Sequence, residues 1–170
     1  LKPLQKVGAI IGALKSSQID AMIIVPHIAK PLSKSGAAKI IGWIGDYDDY
    51  QVTTAFTSAK NAAARPELVK KFVAAYARGA ADFNAVMVDK AKGDPAIEEM
   101  TRLIHKYVYT SRPFEKAAPS IKNGAMRLQP GLKLNLTNVK KQLAWFQSEG
   151  LVGKDISIDT LVDTQFVETY

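Results

Sequence analysis

The side chains that could do chemistry are few and lie far apart. His27 follows Val25-Pro26 at the end of an uncharged run, Ala21 to Val25. At a helix start, an imidazole beside free backbone N–H groups can contact a carboxylate or sulfonate. The plainer reading is a histidine bonded locally. Gly45-Asp46-Tyr47, followed by Asp48-Asp49, forms a polar turn cluster. Its carboxylates could line a cleft. A metal site is disfavoured, because no oxygen-ligand spacing of the calcium-loop kind follows and loop aspartates commonly cap and turn. Thr53 and Thr54 could hydrogen-bond a solute or face outward from a strand. Trp43, Tyr47 and Tyr50 could stack on a ring, with core packing the stronger reading for Trp43. Tyr107, Tyr109 and Arg112 could suit a single-stranded nucleic acid, but packing at a helix end accounts for them better. His105, between Ile104 and Lys106, reads as structural.

For catalysis nothing converges. The chain has no Gly-x-Ser-x-Gly, no phosphate loop and no His-Glu-x-x-His. It has no cysteine, which removes thiolate catalysis, cysteine-ligated zinc and disulfides. No catalytic residue, metal ligand or cofactor is therefore expected. The 170 residues are 47% hydrophobic and 23% charged, as in ordinary globular material. No apolar run approaches the ~20 residues that cross a bilayer. The net charge of +7 fits a nucleic-acid binder, an anion binder or a basic soluble protein. The cations are scattered (Lys2, Lys6, Lys15, Lys30, Lys34, Lys39), with doublets at Lys70-Lys71 and Lys140-Lys141. Solvated helix faces explain most of them. The chain starts at Leu1 without an initiator Met, and a processed or truncated polypeptide is expected.

The elements that would position these groups follow from periodicity. Leu4, Val7, Ile10, Ile11 and Leu14 mark an amphipathic helix. Residues 19–25 end at a proline and read as a buried parallel strand. A helix over 26–34 closes at Gly36. Residues 37–44 read as a second strand and 50–58, rich in Thr, Val, Phe and Tyr, as a third. Helix, strand, helix, strand predicts a parallel sheet with right-handed crossovers, whose ligands would gather at the strands' carboxyl ends. Pro66-Glu67 opens a long helix over 66–91. Gly93 caps it, and Asp94-Pro95 starts the next. A shorter helix over 113–122 is interrupted at Pro119. Asn135 or Thr137 caps a helix over 138–149, which Gly150 ends. Residues 156–161 form a short element before a docking tail.

The order of these pieces resembles the C-terminal half of ABC-importer periplasmic solute-binding proteins of the nitrate/sulfonate/taurine and thiamine-pyrimidine type. Three segments carry the likeness. They are Ala13-Leu14-Lys15-Ser16-Ser17-Gln18-Ile19-Asp20-Ala21, then Arg65-Pro66-Glu67 with Phe72-Val73-Ala74-Ala75-Tyr76, and a closing set. That set is Trp145-Phe146, Gly150-Leu151, Ile158-Asp159 and Leu161-Val162-Asp163-Thr164-Gln165-Phe166. The resemblance implies an α/β fold of the periplasmic-binding-protein type II kind, two α/β lobes joined by crossover strands, with part of each lobe in this chain. Residues 1–50 would complete lobe two, 51–58 would be the crossover hinge strand, and 59–170 would complete lobe one. It implies a substrate-binding component that captures a small, anionic organic solute through Val25, Pro26, His27, Gly45, Asp46, Tyr47, Thr53 and Thr54. It implies the importer's membrane permease as partner, no nucleic acid, and a periplasmic or extracytoplasmic place, lipid-anchored in a Gram-positive cell. Many relatives carry Trp-Glu-Pro where this chain has Val25-Pro26-His27. Relatives that make the thiamine pyrimidine use a cysteine-rich stretch, so this chain departs from that enzymatic alternative. A basic nucleic-acid or protein-binding module is the other alternative. Exposed sheet edges in a partial fold would invite copies to pair.

Overall fold

A computed structural model describes residues 4–170; Leu1 and Lys2, from which the start of the chain was read, lie outside them. Eight α-helices occur among the described residues: α1 (Val7–Lys15), α2 (Pro26–Lys34), α3 (Ala59–Ala64), α4 (Pro66–Phe83), α5 (Gly93–His105), α6 (Phe114–Asn123), α7 (Leu136–Ser148) and α8 (Ile158–Leu161). Short 3-10 turns cover Ile44–Asp46 and Pro130–Leu132, and a π turn covers Asn84–Val88. The chain divides into two units, each built from two separate stretches. Unit 1 takes the described part of Leu1–Gly42 with Val86–Met126, and unit 2 takes Trp43–Ala85 with Arg127–Tyr170.

In unit 1, α5 and α6 pack together and α2 packs on α6. Small residues allow the close approach. Thr101 on α5 and Ala117 on α6 are fully buried, with Ala118 and Ile121 beside them. The Thr101 hydroxyl donates to Ile97 O at 2.6 Å, so burying it leaves no polar group unmet. Pro119 does not interrupt α6, contrary to the expected break. A proline there removes one backbone bond, and the buried face formed by Ala117, Ala118 and Ile121 offsets that loss.

Unit 2 is organised around α4 and α7. Pro66 occupies the first turn of α4, with Glu67 beside it as the sequence predicts. The helix expected over 66–91 leaves α geometry after Phe83, where Asn84 is buried. Asn84 Nδ2 donates to Leu128 O at 2.7 Å and Leu128 N donates to Asn84 Oδ1 at 2.9 Å. This pair of bonds mimics a strand pairing with one side chain. Asn135 caps α7, its side chain accepting from Asn138 N at 2.9 Å. Gly150 follows the helix at φ +68°, a conformation glycine adopts without penalty.

The expected α/β fold of the periplasmic-binding-protein type is not what the chain forms. Helix accounts for 56% of residues and strand for 1%, and the described residues contain no sheet. A single parallel bridge, Leu134 to Thr169, is present. Residues 19–25, 37–44 and 50–58 were expected as strands. None of them forms a strand, although Val25 (φ −67°, ψ 151°) and Trp43 (φ −116°, ψ 144°) have extended backbone. Ile44 instead enters the 3-10 turn, and Ser58 caps α3. The cause of the difference is pairing. Apolar and β-branched runs favour extended backbone locally, but a sheet needs neighbouring strands to accept and donate along its edge. Here α2 turns onto α6 instead of carrying residues 37–43 alongside 19–25. The three segments therefore form no strand ladder with one another.

Candidate functional site

The groove that could receive a ligand lies in unit 1. It encloses about 440 Å³. It is lined by Met87, Val88, Ile97 and Ala125, by Lys30, Lys90 and Lys122, and by Asn123 with one acid, Asp94. Three elements bring these residues together. Lys30 projects from α2, Lys122 lies in the last turn of α6, and Asp94 lies in the first turn of α5. Lys90 sits just before α5 at φ 55°, and its carbonyl accepts from Gly93 N at 3.2 Å.

Two of the three cations are already oriented. Lys30 Nζ donates to Asn123 O at 3.2 Å, at the carbonyl end of α6. Lys122 Nζ meets Glu98 Oε2 at 3.1 Å, and Arg102 Nη2 meets Glu98 Oε1 at 2.9 Å. The hydrogen bond from Lys122, foremost, and the nearby Arg102 charge hold the Glu98 carboxyl below its ordinary value. Arg102 also lies 4.0 Å from the centre of the Phe114 ring. The groove thus sets three cations beside apolar side chains and one acid, with Lys122 partly neutralised by Glu98. That suits an anionic group on a short apolar body.

His27 is not among the residues that line this groove. It stands three residues before Lys30, on the same face of α2. A Cβ added at Gly124 would come within 3.4 Å of His27 Cβ and Nδ1 and 3.1 Å of Ser120 O. The tighter of these contacts is with the Ser120 carbonyl, while the approach to His27 is close to ordinary van der Waals distance. Val25 is the cap of α2 and Pro26 its first residue. Unit 1 therefore holds Val25, Pro26 and His27, whereas Gly45, Asp46, Tyr47, Thr53 and Thr54 belong to unit 2. Asp46 Oδ2 accepts from Trp43 N at 3.1 Å, so it stabilises its own turn. Tyr47, Thr53 and Thr54 are exposed. Thr53 O accepts from Gln51 Nε2 at 2.8 Å.

Unit 2 carries a knot of amides at the start of α7. Asn138 Oδ1 accepts from Gln51 N at 2.9 Å and from Gln142 Nε2 at 2.6 Å. Gln142 Nε2 also donates to Gln51 O at 2.9 Å, and Asn135 N donates to Gln51 Oε1 at 3.1 Å. Asn135 Nδ2 donates to Asp49 O at 2.7 Å, and Tyr170 Oη donates to Asp49 Oδ2 at 2.7 Å. Asp48 Oδ2 accepts from Asn138 Nδ2 at 3.3 Å. The hydrogen bond to Asp49 raises the Tyr170 phenol above its ordinary value. Asp48 and Asp49, read from sequence as turn or cleft carboxylates, are thus structural acceptors. Among the described residues, no group of three or more His, Asp or Glu could hold a metal ion. His105 closes α5 rather than lying mid-helix; its Nε2 donates to Arg112 O at 2.9 Å and its ring meets Phe114 edge-on. Arg112 stacks near Tyr109, 5.2 Å from its centre.

The groove residues Lys90, Asp94 and Lys122 carried no signal in sequence, since Lys30 and Lys122 are 92 positions apart. The knot did carry one. Asn135, Asn138 and Gln142 recur at three- and four-residue spacing on one helix face. Compared with protein-family models, curated proteins and solved structures, the chain matches none.

Proposed function

We propose that this chain captures a small anionic organic solute, as the solute-binding component of an ABC importer, with the importer's membrane permease as partner and a periplasmic or extracytoplasmic place of action. The observation that carries the proposal is the groove of unit 1, where Lys30, Lys90 and Lys122 stand beside Met87, Val88 and Ile97. The ordered family segments of the sequence support it from a separate direction. A carboxylate or sulfonate would sit against Lys30 and Lys90, and its short apolar body against Met87 and Ile97.

Isothermal titration with alkanesulfonates and short-chain carboxylates tests this. Binding is expected, with Lys90→Ala and Lys30→Ala each weakening it about tenfold, which is about 1.4 kcal/mol. Bound solute should also raise the unfolding midpoint by mass action. Absence of any heat or shift with these solutes, alongside a shift with DNA whose affinity falls steeply with salt, would overturn the proposal.

A further inference from the structure

The three cations of the groove differ in what they already hold. Lys30 Nζ donates to a neutral acceptor, Asn123 O, so its charge is uncompensated. Lys90 makes no ion pair among the described residues. Lys122 is the one that meets a carboxylate, with Nζ 3.1 Å from Glu98 Oε2. Glu98 does not itself line the groove. It reaches a bound solute through Lys122.

Two contacts keep Glu98 in place. Arg102, one turn further along α5, takes its other oxygen at 2.9 Å. The Arg102 guanidinium is in turn held 4.0 Å from the centre of the Phe114 ring, and Arg102 does not line the groove either. A carboxylate gripped at both oxygens by charged donors has little freedom to swing away from Lys122. The bond from Lys122 and the charge of Arg102 also keep the Glu98 carboxyl ionised across the neutral range. The pair is open to water, at 44% exposure for Lys122 and 41% for Glu98, so its effect is modest and sensitive to salt.

We propose that Glu98 is a specificity-determining residue of the groove: by holding Lys122 it favours singly charged solutes over doubly charged ones. The inference rests on the groove taking an anionic solute, as proposed above. One anionic group is met by Lys30 and Lys90 without calling on Lys122. A second anionic group on the same short body needs a third free cation. It must compete for Lys122 with a carboxylate already seated there, and it meets Asp94 as a like charge within the lining. The groove therefore gains little from the second charge while the solute loses its hydration.

Isothermal titration at low ionic strength tests this with matched probes, ethanesulfonate against ethanedisulfonate and butyrate against succinate. The native chain should bind the singly charged member of each pair at least as tightly as the doubly charged one. Glu98→Gln keeps the shape and removes the charge. It should tighten the doubly charged probes about fivefold, as expected of one exposed ion pair. The singly charged probes should change less than about twofold. In a Lys122→Gln background the same substitution should move neither class by more than about twofold, because the cation through which Glu98 acts is gone. Both side chains are substantially exposed, so helical circular dichroism should be unchanged in every variant. The proposal is overturned if Glu98→Gln leaves the ratio of the two affinities where it was, or if its effect persists without Lys122. No heat with any probe, on the native chain and the variants alike, overturns the groove reading itself and this inference with it.

Discussion

The two units of this chain solve the same problem by different physics. Unit 1 is held by close packing of small side chains, Thr101 against the Ala117 face, with an ion-paired rim around Glu98. Unit 2 is held by directed hydrogen bonds, in which Asn135, Asn138 and Gln142 grip the backbone of Gln51 and the Asp48-Asp49 turn. Packing tolerates little change of volume but is indifferent to polarity at its edge. An amide network tolerates little loss of any partner, because each buried donor left unmet costs its desolvation. The groove sits on the packed unit. Of its cations, Lys30 is held by the Asn123 carbonyl at the end of α6 and Lys122 by the ion pair with Glu98.

The contrast is broken most severely at Asn138, which is only 4% exposed. Asn138→Ala strips Gln51 N and Gln142 of their acceptor and is expected to cost about 3 kcal/mol. Urea unfolding should report the loss, and amide exchange should rise first at Gln51 and Asn135. A cost below about 0.5 kcal/mol would mean that the network is decoration. The next effect is in unit 1. Ala117→Leu overfills a site with no free volume and should cost about 2 kcal/mol, with exchange rising in α5 and α6 and not in α7.

Smaller effects separate the units by pH. Tyr170→Phe removes the bond to Asp49, partly exposed, and should cost under about 1 kcal/mol. Because the Tyr170 phenol is raised in the folded chain, its contribution is full below the ordinary tyrosine value. It is lost as pH rises through the raised one. The Glu98 carboxyl is lowered, so its contribution is present above the ordinary glutamate value and lost as pH falls through the lowered one. The expected signature is opposite ends of the pH range: acid loosens the α5–α6 rim, and alkali loosens the end of the chain at Tyr170. Glu98→Gln should flatten the acid limb and its salt dependence, the smallest of the effects. Exchange measured peptide by peptide across the pH range would show a common response of both units if the comparison is mistaken.

Local sequence determined most of the helical layout. Val7–Lys15 and Pro26–Lys34 follow from apolar spacing, Pro26 and Gly36, and the Asn135 cap and Gly150 stop bound α7 within about two residues of expectation. The strands expected over 19–25 and 37–44 did not form, although apolar and β-branched runs favour extended backbone. Pairing was not legible. Whether an extended run becomes a sheet depends on which neighbour lies beside it, and that is decided by helix docking far away in sequence: α2 on α6, not back along a sheet. The same reason hid the groove. His27 could be read from its place at a helix start, but Lys30 and Lys122 line one groove only because α2 packs on α6. Spacing along the chain fixes which residues share a helix face. Only tertiary packing decides which faces share a cavity, since that choice rests on contacts no local pattern encodes.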